Sequence, residues 1–200
     1  MKKICTVLVM FFLVLPLFAD SQSVSPVYSY VSIGSGYNAR FASENDSRQS
    51  IPLTMQSGVL SNSDDGSFAL GFGTRADFEF GIGSGSGFSM DILCGFEAMY
   101  RFSRNIALDV LAGLTVSILD TAGDADSIVT MGPGAAASVR LSPTGFSALS
   151  LDLGAAVYGH FAVDSDYAGA GITPFVAVTF DFGAIPYISI PHYVSHILVY

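Results

Sequence analysis

Beyond its first eighteen residues this 200-residue chain has no long hydrophobic run, although half of its residues are hydrophobic and its mean hydropathy is +0.53. The missing runs exclude helical membrane spans, which need about 20 consecutive apolar residues. Lysine is absent after Lys3, and Arg40, Arg48, Arg75, Arg101, Arg104 and Arg140 are the remaining firm cations against seventeen acids. Nucleic acid is therefore a poor partner, because phosphate binding needs clustered Lys and Arg. Cysteine is limited to Cys5 and Cys94. A mature chain that has lost Cys5 cannot build an intramolecular disulfide framework. Tryptophan is absent, so any aromatic belt must be made of Phe and Tyr.

The N-terminal segment is Met1-Lys2-Lys3, an apolar run from Ile4 to Phe18, then Ala19-Asp20. A basic start, a short apolar core and a small residue before a polar stretch read as a secretory signal peptide, with cleavage expected after Ala19. Cys5 precedes the apolar core, which is the wrong place for a lipid-attachment cysteine. The expected layout is a signal peptide over 1–19, one domain over 20–182 and a C-terminal extension over 183–200.

Within the domain the dominant signal is alternation with period two, the mark of a β-strand with two unlike faces. Eight strands are expected: Val27 to Phe41, Ile51 to Leu60, Ser67 to Ile82, Gly87 to Phe102, Ile106 to Ile118, Ile128 to Leu141, Ser147 to Val163 and Gly169 to Phe182. In the third, Phe68, Leu70, Phe72, Phe78, Phe80 and Ile82 share one face, and Arg75, Asp77 and Glu79 share the other. Short turns at Ser61 to Gly66, Ser103 to Asn105 and Ser142 to Gly145 alternate with connections at Ala42 to Ser50, Gly83 to Ser86, Asp120 to Ser127 and Asp164 to Ala168. Of these connections only the first is long.

Alternation alone leaves the inward face undecided, because a soluble lipocalin-like barrel also alternates. The polar face decides. It is mainly Gly, Ala, Ser and Thr, which suit a narrow interior, and it lacks the Lys, Glu and Gln of a water-exposed face. Arg75, Asp77, Glu79, Asp91, Glu97, Arg101, Asp109, Arg140, Asp152 and Asp181 all fall on this face, as does Arg40. A charge turned to lipid costs up to about 2–4 kcal/mol near the bilayer midplane, which enforces such a separation. Phe68, Phe80, Phe88, Tyr100, Phe102, Phe161, Phe180 and Phe182 collect near strand ends on the apolar face, where a transmembrane barrel carries its aromatic girdles. The expected fold is all-β: an eight-stranded antiparallel transmembrane β-barrel in the bacterial outer membrane, with these ionisable residues, Arg40 apart, forming an interior charge network of ten.

The run Gly95-Phe-Glu-Ala-Met-Tyr-Arg-Phe-Ser-Arg-Asn-Ile-Ala-Leu-Asp109 resembles the strand–turn–strand of small outer-membrane barrels of the OmpA/OmpX type. Ile172-Thr-Pro-Phe-Val-Ala-Val-Thr-Phe-Asp-Phe182 resembles their closing strand. The resemblance covers roughly residues 27–182 and rests on generic motifs. It implies a periplasmic N-terminus, outward loops, outer-membrane lipids as surroundings, and a closing strand read by the barrel assembly machinery. The chain departs from the pattern at its end, where residues 183–200 follow Phe182. Tyr200 is a second candidate for the terminal aromatic, but Pro186 and Pro191 make that stretch a poor central strand.

No cofactor and no metal site are expected. His192 and His196 are four apart, a metal spacing only on a helix. Asp120, Asp124 and Asp126, with Asp164 and Asp166, read as solvated acidic loops and lack the calcium-loop pattern. Gly81 to Gly87 reads as a flexible connection with no helix to complete a phosphate cradle. The leading function is a non-enzymatic outer-membrane barrel with a structural, surface-interaction or narrow-pore role and an unidentified extracellular partner. Two alternatives stand beside it. One is an outer-membrane enzyme acting on lipid or peptide through His160 and Asp152. The other is a soluble periplasmic barrel that binds a lipophilic ligand.

Overall fold

The computed structural model describes residues 27–42, 47–63, 66–82, 87–103, 105–120, 127–142, 149–162 and 166–181. The signal-peptide assignment, Phe182, Tyr200, the 183–200 extension, His192, His196, Asp124, Asp126 and Asp164 lie outside them.

Nine strand segments make eight staves. β1 (Val27–Gly36) and β2 (Asn38–Ala42) form the first stave, followed by β3 (Ser47–Asn62), β4 (Phe68–Gly81), β5 (Phe88–Arg101), β6 (Ile106–Asp120), β7 (Ser127–Leu141), β8 (Leu149–Ala162) and β9 (Ala168–Asp181). The break at Tyr37 is not a bulge, because the registers with β3 and β9 run through it unchanged. Tyr37 donates its N–H to the Pro174 carbonyl at 3.1 Å. Pro174 has no N–H to return, so the ladder skips one bond there.

Every neighbouring pair is antiparallel, and β1 and β2 pair with β9 to close the barrel. The register fixes its shape. From Tyr30 the cross-strand partners run through Gly58, Gly73, Gly95, Gly113, Gly134, Tyr158 and Gly171 to Arg40. The path thus returns to the first stave ten residues further along. That stagger requires strands tilted by about 40° and leaves an interior that side chains can fill. The glycines on this path face inward. A Cβ on Gly95 would lie 2.0 Å from the Ala112 carbonyl oxygen, and one on Gly113 would lie 2.1 Å from that of Cys94. The wall curves too tightly there for a side chain.

β3 begins at Ser47, not near Ile51, so only residues 43–46 separate it from β2. The expected long first connection is therefore short. Ser47 to Ser50 carries no apolar alternation, and what makes it a strand is its pairing with Asn38 to Phe41. At the opposite end, the β3–β4 turn is closed by Ser63 N–H to Phe68 O at 2.7 Å and turns on Gly66 in the left-handed region (φ 68°). A residue without a Cβ adopts that conformation at no steric cost.

The outer surface is apolar around the whole circumference. Leu53, Leu114, Val129, Leu153, Val157 and Val176 are exposed along it. Phe72 and Phe96 are 64% and 65% exposed and pair face to tilted face at 4.8 Å. Phe41, Phe80, Phe88 and Phe161 ring the loop end, and Phe68, Tyr100, Phe102 and Phe180 ring the turn end. Cys94 is on this surface as a free thiol. No acid or arginine whose side chain is described on a strand shares it. A belt of this composition is solvated by acyl chains, because water would have to cover far more contiguous apolar surface than soluble proteins expose.

Candidate functional site in the barrel lumen

The inward residues meet in three levels, each built around one arginine. Nearest the turn end, Arg140 on β7 donates Nε to Asp152 Oδ1 at 2.9 Å and Nη2 to Asp152 Oδ2 at 3.0 Å. The same guanidinium reaches Asp109 Oδ2 at 3.3 Å, Asp181 Oδ1 at 3.8 Å and the Tyr28 hydroxyl at 2.6 Å. It lies 4.3 Å from the centre of the Tyr30 ring. Tyr28 donates in turn to Asp181, and Tyr30 to Glu97. Gln56 Nε2 donates to the Tyr30 hydroxyl at 2.6 Å. Seven barrel segments thus contribute to this one cluster.

At mid-height Arg75 on β4 pairs with Asp77 at 3.0 Å and donates Nε to the Tyr158 hydroxyl at 3.0 Å. Tyr158 donates on to Asp77 at 2.6 Å. The guanidinium stacks 3.8 Å from the centre of the Phe175 ring. A buried apolar layer of Leu93, Leu111, Ala136, Ala156 and Tyr158 completes this level.

Nearest the loop end, Arg40 on β2 pairs with Glu79 at 2.8 Å and Asp91 at 3.3 Å. Glu79 also accepts from Asn38 and, at 3.1 Å, from Ser50. Above Arg40 and Glu79 is a small open pocket bordered by Arg48, Gln49, Ser50 and Ser89.

Buried ions are tolerated only when paired and hydrogen-bonded. Nine of the ten residues expected in the lumen are buried there, namely Arg75, Asp77, Glu79, Asp91, Glu97, Asp109, Arg140, Asp152 and Asp181, and all but Glu97, which accepts from the Tyr30 hydroxyl, are in ion pairs. Arg101 is placed differently. It is half-exposed at the turn end, where it donates to Asn62 Oδ1 at 2.9 Å and to the Gly66 carbonyl at 2.8 Å. It clamps the β3–β4 turn from the end of β5, and its guanidinium also lies over the Tyr28 ring, 5.3 Å from its centre, at the edge of the Arg140 cluster. Alternation places Arg40 on the polar face, outside the ten residues expected to form the network. The structure makes it the hub of the third level. Its one available signal was its place among Asn38, Ser32 and Gly36 on the inward face of the first stave.

The interior is also less uniformly polar than its sequence suggests. Tyr28, Tyr30, Leu60, Ala69, Met99 and Ala107 form a buried cluster at the turn end. Large apolar side chains here face in because they cover the hydrocarbon parts of the arginines and tyrosines.

The enzyme alternative needs His160 beside Asp152, and the structure separates them. Both face inward on β8, but eight residues of strand set them about 27 Å apart. Asp152 is held by Arg140 and by Thr179 Oγ1 at 2.8 Å. His160 is buried at the loop end, with Nδ1 3.2 Å from Ser117 Oγ and 3.8 Å from Asp91 Oδ1. The soluble-barrel alternative fails on two grounds. Its apolar face would have to line the lumen, and here that face is outside. Its ligand cavity would have to be open, and here the lumen holds ion pairs.

No protein-family model and no curated protein matches the chain. Solved structures do. Neisserial surface protein A, NspA, is similar with a TM-score of 0.55 and 15% identity, covering 78% of this chain and 97% of that one. Ail, the attachment invasion locus protein of Yersinia pestis, is similar with a TM-score of 0.51 and 11% identity over 78% and 98%. Ail in complex with the heparin analogue sucrose octasulfate gives 0.53 and 11% over 78% and 99%. The register, the lipid-type exterior and this likeness agree: the chain has the fold of the small eight-stranded bacterial outer-membrane barrels of the OmpA/OmpX type.

Proposed function

We propose that the protein is a sealed outer-membrane barrel that acts as a structural or surface-interaction scaffold, presenting its loop end outside the cell. The observation that carries this reading is the lumen, in which Arg40 and Arg140 hold carboxylates from other strands and Arg75 joins Asp77 of its own strand to Tyr158 across the barrel, at three successive heights. An ion entering it must displace a guanidinium from its partners in a low-dielectric space. Function then belongs to the rim and the loops, as the names of NspA and Ail suggest for those proteins. The heparin analogue bound by Ail is a polyanion, and this chain, with a net charge of −9, repels polyanions. Its extracellular partner has a different chemistry. Outer-membrane lipids contact the apolar belt, and the barrel assembly machinery inserts the chain.

The test is fractionation of cells expressing the full chain. The mature protein is expected in the outer membrane, extracted only by detergent, and its unheated form should migrate apart from its heated form on gels. Recovery in the soluble periplasmic fraction would end this reading.

A further inference from the structure

Three breaks interrupt the ladders of the wall, and each lies at a proline. β7 and β8 pair at Met131 with Phe161 and again at Gly134 with Tyr158, but not at Gly132 and Pro133 between them. β9 skips its pairing at Thr173 and Pro174, where its partner changes from β1 to β2. The third break sets Gly36 and Tyr37 beside Ile51 and Pro52 of β3. A proline has no N–H to donate, so each break removes a cross-strand bond, and within the bilayer no water replaces it.

The first two breaks flank one hairpin. β8 and β9 stay paired to each other without interruption, from Leu149 with Phe180 to Phe161 with Ala168. Above the breaks lies the tip of that hairpin, residues 159–162 and 168–173. Two pairs hold it to β7, Thr130 with Ala162 and Met131 with Phe161, and four hold it to β2, from Ala39 with Ile172 to Ala42 with Gly169. The tip faces inward with Gly169, Gly171, Ala162 and His160. His160 is the one polar side chain among these, and its Nδ1 is 3.2 Å from Ser117 Oγ on β6 and 3.4 Å from Thr130 Oγ1 on β7. The staves on the far side of β9 are held more firmly. Arg40 ties β2 to Glu79 on β4 and Asp91 on β5, and β3 is paired to β4 as far as Ser50 and Gly81.

We propose that the tip of the β8–β9 hairpin is a hinged flap that swings as a unit about the breaks at Pro133 and Pro174, with His160 as its latch. Segments that open locally are those held by few contacts to their surroundings. Opening parts Phe161 from Met131 and Ile172 from Ala39, lifts Gly171 away from Arg40, and uncovers the Arg40 level on the loop side. Leu93, Leu111, Ala156 and Tyr158 form the buried layer below the hinge, so the lumen stays sealed at mid-height while its loop half opens.

The experiment is amide hydrogen exchange, followed by NMR on the full mature chain in nanodiscs. Tyr37 donates to Pro174, so by the alternation of an antiparallel ladder Ala39 and Ile172 are a hydrogen-bonded pair, as are Met131 and Phe161. Phe80 and Met90 hold the equivalent places on the β4–β5 hairpin, opposite Ile51 and Ile118. Corrected for intrinsic rates, the Phe161 and Ile172 amides are expected to exchange at one common rate, about tenfold or more faster than those of Phe80 and Met90. Pro133→Val, which restores an N–H, should slow both flap amides, and His160→Ala should speed both. Equal protection of the two hairpins, or unequal rates for Phe161 and Ile172, would overturn the proposal, as would folded variants that leave both rates unchanged. The unmodified protein decides the matter if neither variant folds.

Discussion

At the turn end of the lumen, Arg140 is ringed by Asp109, Asp152 and Asp181 and by two tyrosines, with Leu60 and Met99 packed beside them. At the loop end, Arg40 holds Glu79 and Asp91, and its other neighbours are small hydroxyl and amide groups. Arg140 faces three carboxylates and Arg40 faces two. They differ in what surrounds the pair. Arg140 has aromatic and apolar cover and a dense set of partners, whereas the Arg40 level has two carboxylate partners and borders the small open pocket at the loop end. A buried ion pair contributes little net stability relative to an apolar core, but breaking one leaves a buried charge and is strongly destabilising. The penalty should scale with dryness. The turn end is therefore the part that locks the fold, and the loop end is the part that meets solvent.

The largest expected effect is that of Arg140→Met. It strands three aspartates and Tyr28, and it should cost about 3–5 kcal/mol, read as a collapse of the unheated compact band and of the urea midpoint. Leu114→Arg calibrates this loss from the other side of the wall. Leu114 is half-exposed on the lipid face of β6, and an arginine there should cost about 2–4 kcal/mol, with reduced yield of membrane-inserted protein. Its neighbour Thr115 makes an unsuitable control at the same height. A Cβ on Gly134 would lie 2.1 Å from Thr115 Oγ1, so that inward position has no room for an arginine.

Arg40→Met should cost less, about 1–3 kcal/mol, because water can solvate Glu79 and Asp91 once the guanidinium is gone. Equal urea midpoints for Arg40→Met and Arg140→Met would erase the distinction between the two ends. The smallest effect is a difference between two hydroxyl deletions. Tyr28→Phe removes a 2.6 Å bond to Arg140 and a bond to Asp181, whereas Ser89→Ala removes a 3.4 Å contact to Arg40. Tyr28→Phe should be the more destabilising by roughly 1 kcal/mol in the same urea assay.

Much of this was legible in the chain because alternation is a property of single strands. Phe68 to Ile82 announces both its strand and its faces, and the placement of Arg75 opposite Phe72 and Phe78 already says which face is the lumen. The turn-side charges Asp109, Arg140 and Asp152 were legible for the same reason. Properties set between strands were not. The start of β3 at Ser47 depends on its pairing with β2, since Ser-Arg-Gln-Ser carries no pattern. The ten-residue stagger, the row of glycines it aligns, and the distance between His160 and Asp152 all depend on register. So does the place of Arg101 between the β3–β4 turn and Tyr28. Inward Leu93, Leu111 and Phe175 were hidden because an apolar residue in an otherwise polar row looks like noise until its neighbours across the lumen are known.

The most direct test of a sealed lumen is electrical. The unmodified protein, reconstituted in planar bilayers, is predicted to pass no large steady current, and any residual current should favour cations because acids outnumber arginines inside. The variant with Arg40, Arg75 and Arg140 all replaced by serine should conduct measurably more wherever it still assembles. A large, steady, anion-selective conductance from the unmodified protein would contradict the account.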